Sequence, residues 1–175
     1  MPGPDKFSRF ERAILPHLDA AYNLARWLMR DENEAADAVQ DACLRALRFI
    51  GGFRGGDGRL WLLAIVRNTC YSRLKRSAGR ERETEFDDEI HTAEGEMANP
   101  ELLLERSRDS ETLRRALEEL PEEFREVVVM RELEGMGYKE IAEVAGVPIG
   151  TVMSRLARGR KRLQRALTVA LRKES

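Results

Sequence analysis

The C-terminal part of this 175-residue sequence is strongly basic, and its residue types suit contact with phosphate. From Thr151 to Ser175 there are eight basic residues and a single acid, Glu174. The basic residues are Arg155, Arg158, Arg160, Lys161, Arg162, Arg165, Arg172 and Lys173. A solvated helix usually mixes charge signs, whereas a stripe of one sign is typical of a surface that binds nucleic acid. The chemistry expected here is recognition of a polyanion by guanidinium and ammonium groups.

A helix-turn-helix pattern positions this basic segment. Residues 138–145 carry apolar side chains at helical spacing. Gly146 favours the positive φ of a helix end, and Pro148 cannot continue a helix. The apolar stripe of the following helix consists of Val152, Leu156 and Leu163. This layout suits a second helix that enters the major groove of DNA; an ordinary helical hairpin with a solvated face is the alternative, which the charge of one sign disfavours.

Other kinds of chemistry lack the residues they require. The two cysteines, Cys43 and Cys70, form no CxxC motif, and the two histidines, His17 and His91, lie far apart, so we expect neither a disulfide framework nor a metal site. The sequence contains no phosphate-binding glycine loop and no nucleophile elbow, and we expect no cofactor and no small-molecule substrate. Without a signal peptide or a membrane-spanning apolar run, a cytoplasmic protein is expected.

Charge is sorted along the chain, although the formal net charge is only −1. Residues 7–77 show helical apolar spacing, and Asp31 is expected to cap one of the helices. A glycine-rich run at 51–58 ends that helix, and another begins at about Arg59. Residues 79–99 carry eight acidic residues against two basic ones and lack an apolar period. We therefore expect an all-α fold with two small helical domains, 1–78 and 101–175, joined by a flexible acidic linker at 79–100.

Taken together, these segments carry a family resemblance. The motifs are LARWLMRDENEAADAVQDACLRALR, FRGGDGRLWLLAIVRNTCYSRLKR and LEELPEEFREVVVMRELEGMGYKEIAEVAGVPIGTVMSRLARGRKRL. In this order, with an acidic segment between the second and the third, the chain resembles a bacterial sigma factor of the extracytoplasmic-function group. The resemblance implies a non-enzymatic transcription initiation factor that binds core RNA polymerase and promoter DNA. It also implies control by an anti-sigma factor, although no residue identifies that partner.

For the C-terminal domain, the resemblance implies recognition of the −35 promoter element by the second helix of the helix-turn-helix. The matching positions are Thr151, Ser154, Arg155 and Arg158, with Arg160 and Lys161 on phosphate. Tyr138 and Lys139 are expected on the DNA backbone, where a helix N-terminus presents its amides. Two positions depart from the family pattern: Met153 replaces a basic residue, and Gly137 replaces a capping serine at a modest loss.

For the N-terminal domain, the resemblance implies recognition and melting of the −10 element. The expected residues are Phe53, Arg54, Asn68, Arg73 and Arg76. An amide can bond to a base edge and arginines can hold phosphate, while an aromatic ring can stack on an unpaired base. Trp61 is assigned to the core because it lies within an apolar run. Tyr71 is a better candidate than Trp61 for an exposed aromatic residue, although its signal is weak.

Polymerase docking is assigned by the resemblance to the helix that follows Asp31. For the protein as a whole, the resemblance implies contact with the clamp of the largest polymerase subunit and the flap of the second largest subunit. Exposed polar residues flank the Ala/Val stripe of this helix, namely Asp37, Gln40, Asp41, Arg45 and Arg48. A merely solvated face is the alternative. The acidic linker likewise has two interpretations, a solvated spacer or a mimic of nucleic acid near the RNA path.

Three other classes of protein share parts of this pattern. A polymerase-independent regulator would use the same helix-turn-helix but needs a dimer interface or a ligand pocket. A recombinase-like enzyme needs a nucleophile, for which Ser72 beside Arg73 is the nearest candidate, and that serine is better explained as part of a helix. A sigma-like mimic would have lost its basic DNA surfaces, which are present here.

Overall fold

The computed structural model describes residues 3–84 and 104–174, and every regular element in those residues is helical. The N-terminal helices are α1 Pro4–Ala13, α2 Leu18–Met29, α3 Glu32–Phe49 and α4 Gly58–Thr84, with short 3₁₀ turns at Leu15–His17 and Ile50–Gly52. The C-terminal helices are α5 Leu104–Glu118, α6 Glu122–Val128, α7 Tyr138–Ala145 and α8 Ile149–Glu174, with a π-helical turn at Val129–Leu133. The all-α prediction is confirmed.

The structure describes only the first residues of the segment predicted as linker. Helix α4 continues to Thr84, so the first residues of the segment predicted as linker are helical. Residues 85–100, which make up the rest of that segment, lie outside the described residues.

The N-terminal domain is built around α3, whose buried stripe consists of small residues. Ala35, Ala38, Ala42 and Ala46 are fully buried, which lets α2 and α4 approach α3 closely. Asp31 caps α3 as predicted, because its carboxylate accepts the backbone N–H groups of Asn33 at 2.7 Å and Glu34 at 3.1 Å. This domain therefore holds α3 and α4 side by side, with their outer faces available for function.

The C-terminal domain packs α8 against α6 and α7. Gly146 ends α7 at φ 69°, a left-handed conformation that glycine adopts without strain, and Ile149 begins α8 after Pro148. The predicted apolar stripe of α8 is confirmed, since Val152 and Leu156 are buried and Leu163 packs on the core. The helix-turn-helix is thus formed as the sequence indicates.

For the apolar residues Val127, Val128 and Leu133 the expectation is a shared inward face, and it is wrong for Leu133, which is 47% exposed. At 3.6 residues per turn a regular helix already rotates Leu133 well away from both valines. The segment Val129–Leu133 is in addition a π-helical turn with wider i→i+5 spacing. Periodicity alone does not reveal such a local change of helix type.

The two domains pack against each other. Helix α4 contacts α7, and α2 contacts α6 and the π-helical turn. Their buried apolar residues form one continuous cluster, to which Tyr71 and Leu74 of α4 and Tyr138 of α7 add at the margin. This contact covers one face of α4, whereas no contact between α8 and an N-terminal helix is prominent among the described residues.

Candidate promoter and polymerase interfaces

The second helix of the helix-turn-helix presents an exposed basic face. Ser154 and Arg158 are exposed, and Thr151 and Arg155 are half-buried at the edge of the same face. Among the described residues, neither Arg155 nor Arg158 has an ion-pair partner, so both guanidinium groups are available to an anion. The side chain of Ser154 donates to the carbonyl of Thr151 at 3.3 Å, which orients its hydroxyl along the helix. These four residues form the recognition face of α8.

Two further predicted phosphate contacts differ in their surroundings. Lys161 is exposed beside Arg158, Arg162 and Arg165, which line a shallow depression around Phe124. The guanidinium of Arg160 instead donates to the carboxylate of Glu132 at 2.6 and 2.9 Å, and this hydrogen bond raises the pKa of Arg160. Binding of phosphate by Arg160 therefore requires exchange of an exposed ion pair, which is a weak interaction in water.

The residues predicted to contact the DNA backbone open α7. Lys139 is exposed, whereas Tyr138 is half-buried under the guanidinium of Arg131, 4.7 Å from the centre of its ring. Gly137 caps α7 without a side chain, and Glu140 reaches back to its backbone N–H at 2.9 Å. One half of a capping box is thus in place at the start of α7.

The predicted docking residues lie together on the outer face of α3. Asp37, Gln40 and Arg48 are exposed, and Asp41 and Arg45 are half-buried. The carboxylate of Asp41 lies 4.0 Å from the guanidinium of Arg45, which also donates to Thr69 of α4 at 3.4 Å. This docking face is therefore held partly by α4.

Sequence analysis missed the apolar part of this face. Leu44 is 60% exposed and lies between the predicted polar residues. It borders an open groove of about 500 Å³ between α2, α3 and the segment around Leu15, which is lined largely by apolar side chains and includes Cys43. An exposed leucine outside the Ala/Val stripe is the sequence signal that identifies such a position.

The predicted −10 residues are not brought to one place. Arg54 and Asn68 are exposed, and Arg76 is exposed further along α4. Phe53 is 7% exposed and packs against Trp61 with ring centres 5.1 Å apart, with the guanidinium of Arg9 beside it. The predicted loop thus holds its aromatic ring inward, and Phe53 can meet a base only after the loop rearranges. Trp61 packs on the core as expected.

Arg73 connects the two predicted surfaces of the N-terminal domain. Its guanidinium lies 3.6 Å from the carboxylate of Asp41 and 4.0 Å from that of Asp37, both on the docking face. A residue predicted to bind DNA is therefore paired with two residues predicted to bind polymerase. Ser72, beside it, is exposed in the middle of α4, as expected for an ordinary helical residue.

A buried ion pair joins the two domains, and sequence analysis did not find it. Glu126 of α6 is fully buried, and its carboxylate accepts from the Arg67 guanidinium at 2.6 and 3.0 Å and from the Tyr71 hydroxyl at 3.1 Å. Burial lowers the pKa of Arg67, but the hydrogen bond and charge of Glu126 outweigh that effect and raise it. Tyr71 was expected to be exposed; it is half-buried because α6 covers it, and burial raises its pKa.

Several absences hold for the described residues. No group of three or more His, Cys, Asp or Glu side chains there is arranged to hold a metal ion. None of the helices in the described part of the chain is long and apolar enough to cross a membrane. Cys43 and Cys70 are free thiols.

Comparison with known families identifies both domains. The family model described as Sigma-70 region 2 matches residues 13–80, and the model described as Sigma-70, region 4 matches residues 110–163. These two matches contain the docking face, the recognition face and α4 as far as residue 80.

Relatives along the chain are sigma factors. The chain is 31% identical over 170 residues to the RNA polymerase sigma-H factor of Pseudomonas aeruginosa, covering 93% of this chain and 88% of that protein. It is 32% identical to the ECF RNA polymerase sigma-E factor of Escherichia coli, covering 80% of this chain and 77% of the relative. It is 34% identical to the ECF RNA polymerase sigma factor SigE of Mycolicibacterium smegmatis, of which it spans 60%.

Solved structures share the arrangement of helices. The sigma factor RpoE from Bartonella quintana, in a co-crystal structure with the anti-sigma factor NepR, matches with a TM-score of 0.74 and 29% identity, covering 91% of this chain and 97% of that chain. CnrH, in complex with the cytosolic domain of CnrY, matches with a TM-score of 0.59 and 25% identity, covering 91% and 88%. On these grounds the chain belongs to the extracytoplasmic-function group of bacterial RNA polymerase sigma factors.

Proposed function

We propose that this chain binds core RNA polymerase and directs promoter-specific initiation of transcription. Residues 1–78, with the extension of α4 to Thr84, form the region 2-like domain, and residues 101–175 form the region 4-like domain. The rest of the acidic segment predicted as linker joins them. The protein itself is not an enzyme, since the polymerase performs nucleotidyl transfer. It acts in the cytoplasm, where its polymerase and promoter DNA are found.

The observation that carries this proposal is the recognition face of α8. Two guanidinium groups, Arg155 and Arg158, lie without ion-pair partners among the described residues on the second helix of a helix-turn-helix. An arginine that bonds to guanine with two hydrogen bonds discriminates it by about 1–3 kcal/mol. Lys161 extends the same face towards phosphate, and Tyr138 and Lys139 lie at the start of the preceding helix. This arrangement supports reading of the −35 element.

The docking face of α3 supports binding to the clamp of the largest polymerase subunit. It combines the exposed polar residues Asp37, Gln40 and Arg48 with the exposed apolar Leu44, a mixture typical of protein interfaces. Contact with the flap of the second largest subunit is assigned to the region 4-like domain through the family. Three exposed residues are available for the −10 element, namely Arg54, Asn68 and Arg76. Phe53 can reach that element only after it leaves Trp61, and Arg73 only after it leaves Asp37 and Asp41.

Control by an anti-sigma factor is supported by the solved relatives. RpoE is in complex with NepR, and CnrH is in complex with the cytosolic domain of CnrY. We propose a partner of the same class for this chain.

Footprinting of promoter fragments tests the proposal. Fragments are selected from a random library by core RNA polymerase loaded with this chain, and protection is mapped by hydroxyl radicals. The proposal predicts two protected regions, at −35 and −10, that require both proteins. Protection of a palindromic site by the chain without polymerase would instead identify a stand-alone regulator.

A further inference from the structure

The buried carboxylate of Glu126 depends on the other domain for its partners. Glu126 lies on α6, and the hydrogen-bonding side chains found for it among the described residues, Arg67 and Tyr71, both lie on α4. Removing a carboxylate from water is costly unless it is paired and hydrogen-bonded. Closure of the two domains satisfies this carboxylate, and their separation would return all three groups to water.

Arg67 and Tyr71 together have the form of an anion site. The guanidinium of Arg67 lies 4.4 Å from the centre of the Tyr71 ring and donates from two nitrogens to the two carboxylate oxygens. Paired oxygens of this kind are also presented by a phosphate group, which arginine binds in the same forked manner. The ring beside it offers a surface on which an unpaired base can stack.

This site adjoins a residue already assigned to DNA. The guanidinium of Arg67 lies 3.4 Å from the side-chain oxygen of Asn68, to which it donates. Arg67 and Asn68 are consecutive on α4, so a strand that reaches the Asn68 amide passes within reach of the Arg67 guanidinium once α6 has moved away.

We propose that Arg67 and Tyr71 form one anion-binding site with two successive occupants. In the free chain the occupant is Glu126, which holds the domains closed. In the promoter complex the occupant is a backbone phosphate of the DNA strand that passes Asn68. This inference rests on the proposed function for its second occupant, whereas the first concerns the free chain alone.

A second interdomain bond supplies a matched control. Arg30, at the C-terminal end of α2, donates to the backbone carbonyl of Glu118 at the end of α5. It joins the same two domains through groups other than Arg67, Tyr71 and Glu126. Removing it should loosen closure without affecting a phosphate site on α4.

The first experiment measures closure in the free chain by energy transfer between dyes. The dyes are attached at the exposed positions Glu34 and Lys173, each replaced by cysteine, in a Cys43→Ala background. Loss of a hydrogen bond to a charged group should raise the ratio of open to closed molecules by about tenfold. We expect this increase for Arg67→Ala and Glu126→Ala, and a smaller one for Arg30→Ala.

The second experiment measures promoter binding by the chain loaded on core polymerase as salt is raised. Each phosphate contact contributes about 0.7–0.9 to the slope of log affinity against log salt. Arg67→Ala should therefore reduce the slope by about 0.7. Glu126→Ala and Arg30→Ala should leave the slope unchanged, because the carboxylate and Arg30 make no contact with DNA in the open state.

The outcomes separate the two occupants. Opening by both Arg67→Ala and Glu126→Ala, with a reduced slope for Arg67→Ala alone, supports the proposal. If neither variant opens the free chain, Glu126 does not hold the two domains together. If the salt slope of Arg67→Ala equals that of the wild type, Arg67 does not bind a phosphate of the promoter DNA. Absence of promoter binding by the wild-type complex contradicts the proposed function and the second occupant, while the closure result stands. Arg67→Gln and Tyr71→Phe provide the same comparison should Arg67→Ala fail to fold by circular dichroism.

Discussion

The two domains of this sigma factor present their basic residues in opposite ways. On α8, Arg155 and Arg158 face outward, and among the described residues no carboxylate is paired with them. On α4, Arg67 is held by the buried Glu126 and Arg73 by Asp37 and Asp41. The difference shows that the proposed −35 surface is already formed in the free chain, whereas part of the proposed −10 helix is covered and must be released.

Removing charge from the recognition face should have the largest effect. Arg155→Ala and Arg158→Ala should each weaken promoter binding by the loaded polymerase by about 10- to 100-fold, because each removes a contact of about 1–3 kcal/mol. Fluorescence anisotropy on a selected promoter measures this change. Lys173→Ala, on an exposed residue at the end of α8, is the matched control.

Binding to core polymerase through the docking face should be unaffected by these two substitutions, since α3 lies in the other domain. Unaltered promoter affinity for both variants would show that the recognition face has been placed on the wrong side of α8.

Two glycines test how rigidly each domain is packed. A Cβ at Gly58 would overlap the backbone carbonyl of Ala13, whereas a Cβ at Gly159 would lie 2.8 Å from a methyl group of Val128. Backbone cannot yield as a side chain can, so Gly58→Ala should destabilise the fold by about 1–3 kcal/mol. Gly159→Ala should cost less, because the methyl can move and alanine gains about 1 kcal/mol of helix propensity.

Thermal unfolding followed by circular dichroism measures both variants. Gly150→Ala is the control, since nothing lies within 4 Å of its added Cβ, and it should leave stability unchanged or raise it. A larger loss of stability for Gly159→Ala than for Gly58→Ala would show that the C-terminal domain, not the N-terminal one, is the more rigidly packed at its glycine.

The two thiols test how well the core covers the face of α4 that carries Cys70. Cys70 is fully buried, and burial raises its pKa to about 12; Cys43 is half-buried, and burial also raises its pKa. Both thiols are therefore protonated at pH 8, and access decides their reactivity. Iodoacetamide should modify Cys43 about tenfold or more faster than Cys70, as followed by mass spectrometry.

The raised pKa of Cys70 also has a consequence for stability. Below the ordinary thiol pKa of 9.0, the thiol is protonated in both the folded and the unfolded chain, and stability does not depend on it. As pH rises from 9.0 towards about 12, the thiol ionises in the unfolded chain only, and the free energy of unfolding falls. The melting temperature should therefore fall across this window, and less steeply in Cys70→Ala. Equal modification rates for the two thiols at pH 8 would show that Cys70 on α4 is as accessible to the reagent as Cys43.

The smallest effects are expected at the helix caps. Asp31→Ala removes two hydrogen bonds to the N-terminus of α3 and should cost about 1 kcal/mol. Gly137→Ser adds a capping hydroxyl to α7 and should gain a few tenths of a kcal/mol. Urea unfolding measures both, and a stabilising Asp31→Ala would contradict the cap assignment.

Local sequence signals predicted most of the fold because they act within one helix. Asp31 as a cap, Gly146 as a helix end and the stripe of Val152 and Leu156 all follow from periodicity and capping. The π-helical turn at Val129–Leu133 was not predictable in this way.

The candidate site was predicted best where it depends on a single helix. The exposure of Ser154 and Arg158 follows from the apolar stripe of α8. Burial of Phe53 and Tyr71 depends on Trp61 and Glu126, which lie elsewhere in the sequence, and a single sequence gives no signal for such pairs. Side-chain contacts between different elements, within a domain and between the domains, were therefore the part that the sequence could not predict.

Run-off transcription with purified core RNA polymerase tests the central claim most directly. Fragments of the source genome serve as templates, with and without this protein. The account predicts new, defined start sites that require the protein and that share sequence elements near −35 and −10. Transcription without any change in start sites, together with absence of binding to core polymerase, would contradict it.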